Sequence, residues 1–226
     1  MFFVENKPFM DHGTKLKVGI LGGTFNPPHV GHLRLAEEVA SLHGLLRVIF
    51  VPSFIPPHKT TEEIAPANDR LEMTRLACTD NPRFEVSDME IAAKGPSYTV
   101  NTLETLAQRA DREYFFILGT DSLREIHTWK DYQRLFTLAH FIVVKRPGIE
   151  FTSAWTAIPA DLKSQFSDHG DHLVHSCSKS LIRSRIQGLD MSATGIRNLV
   201  ATGLSIRYLV TDAVLSYIVQ NRLYRN

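Results

Sequence analysis

Short apolar runs closed by glycine or proline alternate with stretches of helical period along this chain, and that alternation sets the fold class. Lys17–Leu21 (KVGIL), Arg47–Val51 (RVIFV), Phe84–Val86, Tyr114–Leu118 (YFFIL) and Phe141–Lys145 (FIVVK) read as strands. Between them the spacing predicts helices. One covers Val30–Ser41, with Leu33, Ala36, Val39 and Ala40 on one face and Gly44 as its stop. Another carries Leu71, Met73, Leu76 and Ala77, capped by Asn68 or Asp69. A third opens at Thr99, and shorter ones lie near Asp121–Ile126 and Lys130–Leu138. Strands that are apolar throughout suit a parallel sheet covered on both faces. The expected fold is α/β, a doubly wound, mostly parallel sheet. Residues 149–171 are the least regular part, read as an excursion, and Leu173 and Val174 sit in a short strand-like piece. Helices from Ser192 to Gly203 and over Asp212–Asn221 form a small C-terminal helical part, 188–226. Residues 1–226 are expected to form one domain, with 1–15 a loose N-terminal extension. Ligands of such sheets bind beyond the carboxyl ends of the strands. The loops after Leu21, Val51, Leu118 and Lys145 should therefore line one crevice.

Composition narrows the partners. Lys and Arg number 25 against 24 Asp and Glu, a formal charge of +1. That balance speaks against nucleic acid and membrane surfaces, while leaving room for a local anion pocket. The two cysteines, Cys78 and Cys177, are too few for a disulfide framework and fit a reducing cytoplasm. The opening MFFVENKPFMDHG lacks a basic start and a long apolar core, so no signal peptide is expected. No stretch is apolar for long enough to span a bilayer.

The strongest chemical signal is Gly22-Gly23-Thr24-Phe25-Asn26-Pro27-Pro28-His29-Val30-Gly31-His32, between the first strand and its helix. Glycines admit close backbone approach. A helix start offers unpaired N–H groups and partial positive charge, which suits phosphate. His29 and His32 lie three apart and face the same way on a first helical turn, and Gly31 removes a side chain that would obstruct the approach. The motif describes a polyphosphate cradle with two imidazole donors. On its own, His-x-Gly-His also reads as a Gly/Pro turn with two surface histidines; the strand before it and the helix after it favour the cradle. Neither G-x-x-x-x-G-K-[ST] nor G-x-G-x-x-G follows the first strand, so the usual P-loop and the dinucleotide-cofactor fingerprint are excluded. A second signal, Ser192-Ala193-Thr194-Gly195-Ile196-Arg197, opens another helix. Its hydroxyls, N–H groups and guanidinium suit phosphate, although by itself it also reads as an ordinary capped helix with a solvated arginine.

GGTFNPPHVGH together with SATGIR resembles the nucleotidyltransferase superfamily marked by an H-x-G-H and a distal S-[ST]-T-x-I-R motif. Pro56-Pro57-His58-Lys59, Gly95-Pro96-Ser97-Tyr98-Thr99, Gly119-Thr120-Asp121-Ser122, Trp129, Lys145-Arg146-Pro147-Gly148 and Tyr208-Leu209-Val210 through Leu223-Tyr224 are similar to the bacterial nicotinate-nucleotide adenylyltransferase family. The likeness covers about 17–148 and 188–225. Ala193 and Gly195 depart from the family pattern. The resemblance implies a Rossmann-like fold and attack by nicotinate mononucleotide on the α-phosphorus of ATP, giving nicotinate adenine dinucleotide and pyrophosphate within NAD biosynthesis. No covalent enzyme intermediate is expected. His29, His32 and Arg197 would be the catalytic groups. Gly22, Gly23, Thr24, Phe25, Gly119, Asp121, Ser192, Thr194 and Ile196 would hold ATP. Mg²⁺ would ride on the triphosphate, with no protein ligand assigned. On the acceptor side Trp129 would stack on the nicotinate ring, and Tyr98 and Thr99, at a helix start, would take its carboxylate. His58, Lys59 and Arg146 would take the mononucleotide phosphate. Taken singly, each of these acceptor residues also has a purely structural reading: Trp129 as core, Ser97-Tyr98-Thr99 as a cap, Lys59 as a solvated charge.

Other readings stay open on the sequence. A pantetheine-phosphate enzyme would share the first motif in a shorter chain, and a nicotinamide-preferring enzyme would share both. His169, His172, His175 and Cys177 could ligate zinc, although their spacing matches no usual pattern. A nucleotide sensor would bind ATP and release no pyrophosphate.

Overall fold

The computed structural model describes residues 15–56, 64–187 and 189–225. The first half alternates β1 (Leu16–Gly23), α1 (Val30–His43), β2 (Arg47–Pro52), α2 (Ala67–Cys78) and β3 (Phe84–Val86). Then come α3 (Met89–Ala92), α4 (Thr99–Ala107), β4 (Arg112–Gly119), α5 (Thr120–Glu125), α6 (Tyr132–Leu138) and β5 (His140–Lys145). The remainder is α7 (Phe151–Thr156), α8 (Ala160–Lys163), β6 (Phe166–Asp168), β7 (His172–His175), β8 (Ser180–Gln187), α9 (Ala193–Ala201) and α10 (Asp212–Gln220).

The described strands form one sheet in the order β3-β2-β1-β4-β5-β8-β7-β6. From β3 to β8 every pairing is parallel, while β7 and β6 add antiparallel at one edge. The order reverses at β1, which puts β2 on one side and β4 on the other. A crevice opens at such a switch point beyond the strand ends. Two apolar layers sandwich the sheet. One joins Val18, Ile20, Val51, Phe116 and Leu118 to α4, α5 and α6 residues such as Leu103, Leu123 and Phe136. The other joins Leu21, Phe50, Phe115 and Ile142 to Leu35, Ala36 and Val39 of α1. A third cluster packs Ile196, Val214 and Ile218 of the C-terminal helices on Met73 and Ala77 of α2. Among the described residues no helix is long and apolar enough to cross a membrane.

The structure corrects three local expectations. The irregular region holds α7, α8 and a hairpin, and the chain from Ser180 to Gln187 is a full strand beside β5. Arg183 and Arg185 interrupt its apolar pattern. Arg183 is spent tying β8 to the preceding turn, through Nη1 to Gly170 O and Nη2 to Asp168 Oδ2, both at 2.9 Å. Finally, α2 starts at Ala67 without a side-chain cap, because Asp69 accepts instead from Tyr217 Oη of α10 at 2.8 Å.

Candidate active site

β1 ends in Gly22 and Gly23, in register with Val51 and Pro52 of β2. Thr24 and Phe25 follow over the strand end. Phe25 has φ +47° and is buried, its ring 5.1 Å edge-on to His32 and 5.7 Å from Phe50. His29 and His32 stack with centroids 3.7 Å apart. The backbone N–H of His29 donates to His32 Nδ1 at 3.2 Å, so a neutral His32 carries its proton on Nε2. Gly31 does more than clear a path for a ligand. A Cβ there would lie 3.0 Å from His29 Nδ1 and 3.6 Å from Met191 Cβ. Its missing side chain makes room for the stacked imidazole and for the approach of the second motif.

His29 is 5% exposed and its Nδ1 meets no hydrogen-bond partner among the described residues. Burial, helped by the charge of Arg146, pushes its pKa down from 6.5 to about 4. At neutral pH it is an uncharged imidazole. In the unfolded chain it takes a proton near 6.5 and in the fold only near 4, so between those values the unfolded state holds more protons and acid favours it. Stability should therefore fall as pH drops through this window, by up to about 3 kcal/mol from this group. Urea unfolding of wild type and His29→Gln at several pH values checks it: the variant should have the flatter slope, and equal slopes would refute it.

The second motif meets the first. Ser192 caps α9, its Oγ accepting from Gly195 N–H at 3.1 Å. A Cβ on residue 195 would stand 3.2 Å from that oxygen, which accounts for the small residue there. Ser192 and Thr194 are exposed, while Ile196 is buried in the C-terminal cluster and its N–H is bonded to Ser192 O. Arg197 donates to Asn26 O at 3.1 Å and to Thr194 Oγ1 at 3.3 Å. Tyr224 Oη donates to Asn26 Oδ1 at 2.9 Å, and Val30 N–H to Leu209 O at 2.9 Å. One of the N–H groups at the start of α1 is therefore used to hold the C-terminal part in place.

At the end of β4, a Cβ on Gly119 would fall 2.2 Å from Asp121 Oδ1 and 2.9 Å from Arg146 Cγ. Arg146 Nε lies 3.8 Å from that carboxylate oxygen. Buried Thr120 locks the two loops together: its hydroxyl accepts from Arg146 N–H and donates to Ile149 O, both at 3.0 Å. Arg146 thus stands beside Asp121, and its charge is felt at His29. Trp129 is half-buried, edge-on to Phe116 at 6.2 Å. Tyr98 is the N-cap residue of α4, with Lys130 Nζ 4.7 Å from its ring centroid, and Thr99 is the first helical residue. His58 and Lys59 lie outside the described residues.

Residues 20–199 match the family model described as cytidylyltransferase-like. A protein of Geobacter sp. strain M21 named "Probable nicotinate-nucleotide adenylyltransferase" is 46% identical over 213 residues, spanning 92% of this chain and 98% of the relative. The chain belongs to the nicotinate-nucleotide adenylyltransferase family. A relative of the same name from Geobacter sulfurreducens is 43% identical over 212 residues, spanning 92% and 98% of the two chains. Among solved structures, a Plasmodium falciparum nicotinic acid mononucleotide adenylyltransferase complexed with NaAD has a similar fold. Its TM-score is 0.70 at 17% identity, covering 92% of this chain and 97% of that one.

In this family member several residues that brace the site carry little sequence signal. Arg70 looks like any helix-surface arginine, yet it is 1% exposed. Asn26 sits inside the first motif, but its contacts to Ala65, Arg197 and Tyr224 depend on tertiary structure. Thr120 sits within Gly119-Thr120-Asp121-Ser122, but its bonds to Arg146 and Ile149 depend on tertiary structure. The residues considered for zinc make contacts of their own. His175 Nε2 meets Gln165 Oε1 at 3.0 Å and its Nδ1 meets Cys177 Sγ at 2.9 Å, while His172 pairs with Asp171. Among the described residues no three His, Cys, Asp or Glu side chains are grouped to hold a metal ion.

Proposed function

We propose that this chain transfers the adenylyl group of MgATP to nicotinate mononucleotide in NAD biosynthesis. A 5′-phosphate oxygen of the mononucleotide attacks the α-phosphorus. The bond from that phosphorus to the bridging oxygen breaks, pyrophosphate leaves, and nicotinate adenine dinucleotide forms. The observation that carries this reading is the convergence of two helix starts on one loop, through Arg197 on Asn26 O, beside the stacked His29 and His32. Membership of the adenylyltransferase family supports it.

Such transfer asks for positioning and charge stabilisation rather than a protein nucleophile. His32, with its proton on Nε2, donates to the phosphate oxygens where negative charge grows, and uncharged His29 backs it in the stack. Thr24 and Phe25 line the cradle through their backbone. Ser192, Thr194 and Arg197 take the β- and γ-phosphates, Arg197 exchanging its contact with Asn26 for the ligand. Ile196 serves from the core, by fixing the turn that carries them. Gly119 and Asp121 hold the adenosine ribose. Magnesium arrives as part of the nucleotide substrate and offsets phosphate charge there. Trp129 stacks on the nicotinate ring, Tyr98 and Thr99 receive its carboxylate at the start of α4, and Arg146, with His58 and Lys59, takes the mononucleotide phosphate. The whole chain acts as one nucleotidyltransferase domain, residues 188–226 forming its C-terminal helical part.

Incubating the protein with MgATP and either mononucleotide while following pyrophosphate tests this. Release with nicotinate mononucleotide, and far less with the nicotinamide form, is expected. Equal rates would remove the carboxylate argument, and ATP binding without pyrophosphate would favour a sensor. Trp129→Ala should raise the acceptor KM by roughly tenfold, about the value of one aromatic stack, and leave the ATP KM nearly unchanged. An unchanged acceptor KM would refute the stacking role.

A further inference from the structure

Arg70 lies in the first turn of α2, almost wholly buried. A guanidinium removed from water is costly unless its N–H groups are met. Three donors go to three backbone carbonyls: Nη1 to Thr24 O at 2.7 Å, Nη2 to Phe54 O at 2.9 Å and Nε to Ala65 O at 2.9 Å. Among the described residues no carboxylate forms an ion pair with it. A charge at such a depth is thus committed to holding loops rather than to neutralising an acid.

The loops it holds belong to different halves of the site. Thr24 is in the ATP cradle after β1. Phe54 follows β2, and its N–H donates to Ser97 Oγ at 2.8 Å, while Ser97 N–H donates to Ile55 O at 2.9 Å. Ser97 also bonds the Glu90 carboxylate, which accepts from Thr102 Oγ1 of α4 at 2.5 Å. Hydrogen bonds therefore run from Thr24 through Arg70 and Phe54 to Ser97, which directly precedes Tyr98 and Thr99 in the chain, where the acceptor carboxylate is expected. The guanidinium is a rigid planar fork, so it fixes the separation of the carbonyls it grips.

We propose that Arg70 is a positioning residue that sets the spacing between the ATP cradle and the acceptor pocket, an inference resting on the adenylyl-transfer reading above. Each half-site keeps its own binding groups without Arg70. What is lost is the alignment of the attacking oxygen with the α-phosphorus, and in-line displacement is sensitive to such shifts.

The test uses the full chain with Arg70→Met, which removes fork and charge, and Arg70→Lys, which keeps the charge alone. Steady-state kinetics in both substrates, calorimetric titration with ATP, and thermal melting are measured for each. Both variants should lose kcat on the order of tenfold. Both KM values should stay within about threefold, and ATP should still bind one per chain. Lysine restoring the wild-type rate would overturn the spacing role in favour of charge. A raised ATP KM with kcat preserved would overturn it in favour of direct attraction. A kcat loss matched by lost ATP stoichiometry, or failure of both variants to fold, would assign Arg70 to the core and overturn it. Variants that match an active wild type would refute the spacing role alone. A wild type that releases no pyrophosphate would remove the functional reading and this inference with it.

Discussion

His32→Ala should lower kcat by roughly 10²- to 10³-fold, the usual loss when one donor to a developing oxyanion is removed. The ring is held on three sides. His29 stacks on it, Phe25 meets it edge-on, and the His29 N–H fixes its tautomer. A donor so fixed does not have to reorganise as charge builds on the phosphate. The variant also loses the return bond at the start of α1, so a modest drop in melting temperature should accompany the kinetic loss. His32→Gln separates the two effects. An amide at the third helical position can still accept the N–H behind it, as in a capping box. Stability should return with Gln while much of the rate loss persists. An alanine variant within about fivefold of wild type would remove the phosphate-cradle argument.

Gly31→Val should be comparably damaging for a steric reason. The valine Cβ would lie 3.0 Å from His29 Nδ1 and 3.1 Å from Cε1, with Met191 Cβ at 3.6 Å. Its methyl groups can be accommodated only by turning His29 out of the stack or by pushing the Met191–Ser192 turn away. The first change disrupts the paired imidazoles, and the second separates the two motifs proposed to bind phosphate. A loss on the order of 10²-fold in kcat is expected, with overpacking costing about 1–3 kcal/mol of stability. Gly31→Ala should fall between, since its single methyl needs its neighbours to give by only a few tenths of an ångström. The series Gly, Ala, Val should therefore grade steadily in rate. Full activity in Gly31→Val would mean that the imidazole stack is not needed.

Much of the fold was legible because a doubly wound sheet leaves a strong pattern. Strands such as Phe141–Lys145 are buried on both faces and read as unbroken apolar runs, and glycine or proline closes them. β8 escaped for the opposite reason. Leu181 is fully buried, but Arg183 and Arg185 give its text the look of a solvated loop. The position of both motifs at helix starts was legible, because glycines after a strand and a serine cap are local signals. The reason for a glycine at 195 is tertiary geometry: a Cβ at that position would stand 3.2 Å from the Ser192 Oγ that caps α9.

The sequence by itself determined the strand–helix alternation, the two helix starts that carry the motifs and the family to which the chain belongs, because these are local patterns of periodicity, capping and spacing. Tertiary structure alone decided that Arg197 and Tyr224, some 170 and 200 residues from Asn26, close on that one loop. It also decided that a buried Arg70 ties three separate carbonyls together, and that His29 is held uncharged. Hydrogen bonds between distant segments and the desolvation of a ring depend on which surfaces meet when the layers pack, and no local pattern in the chain encodes that.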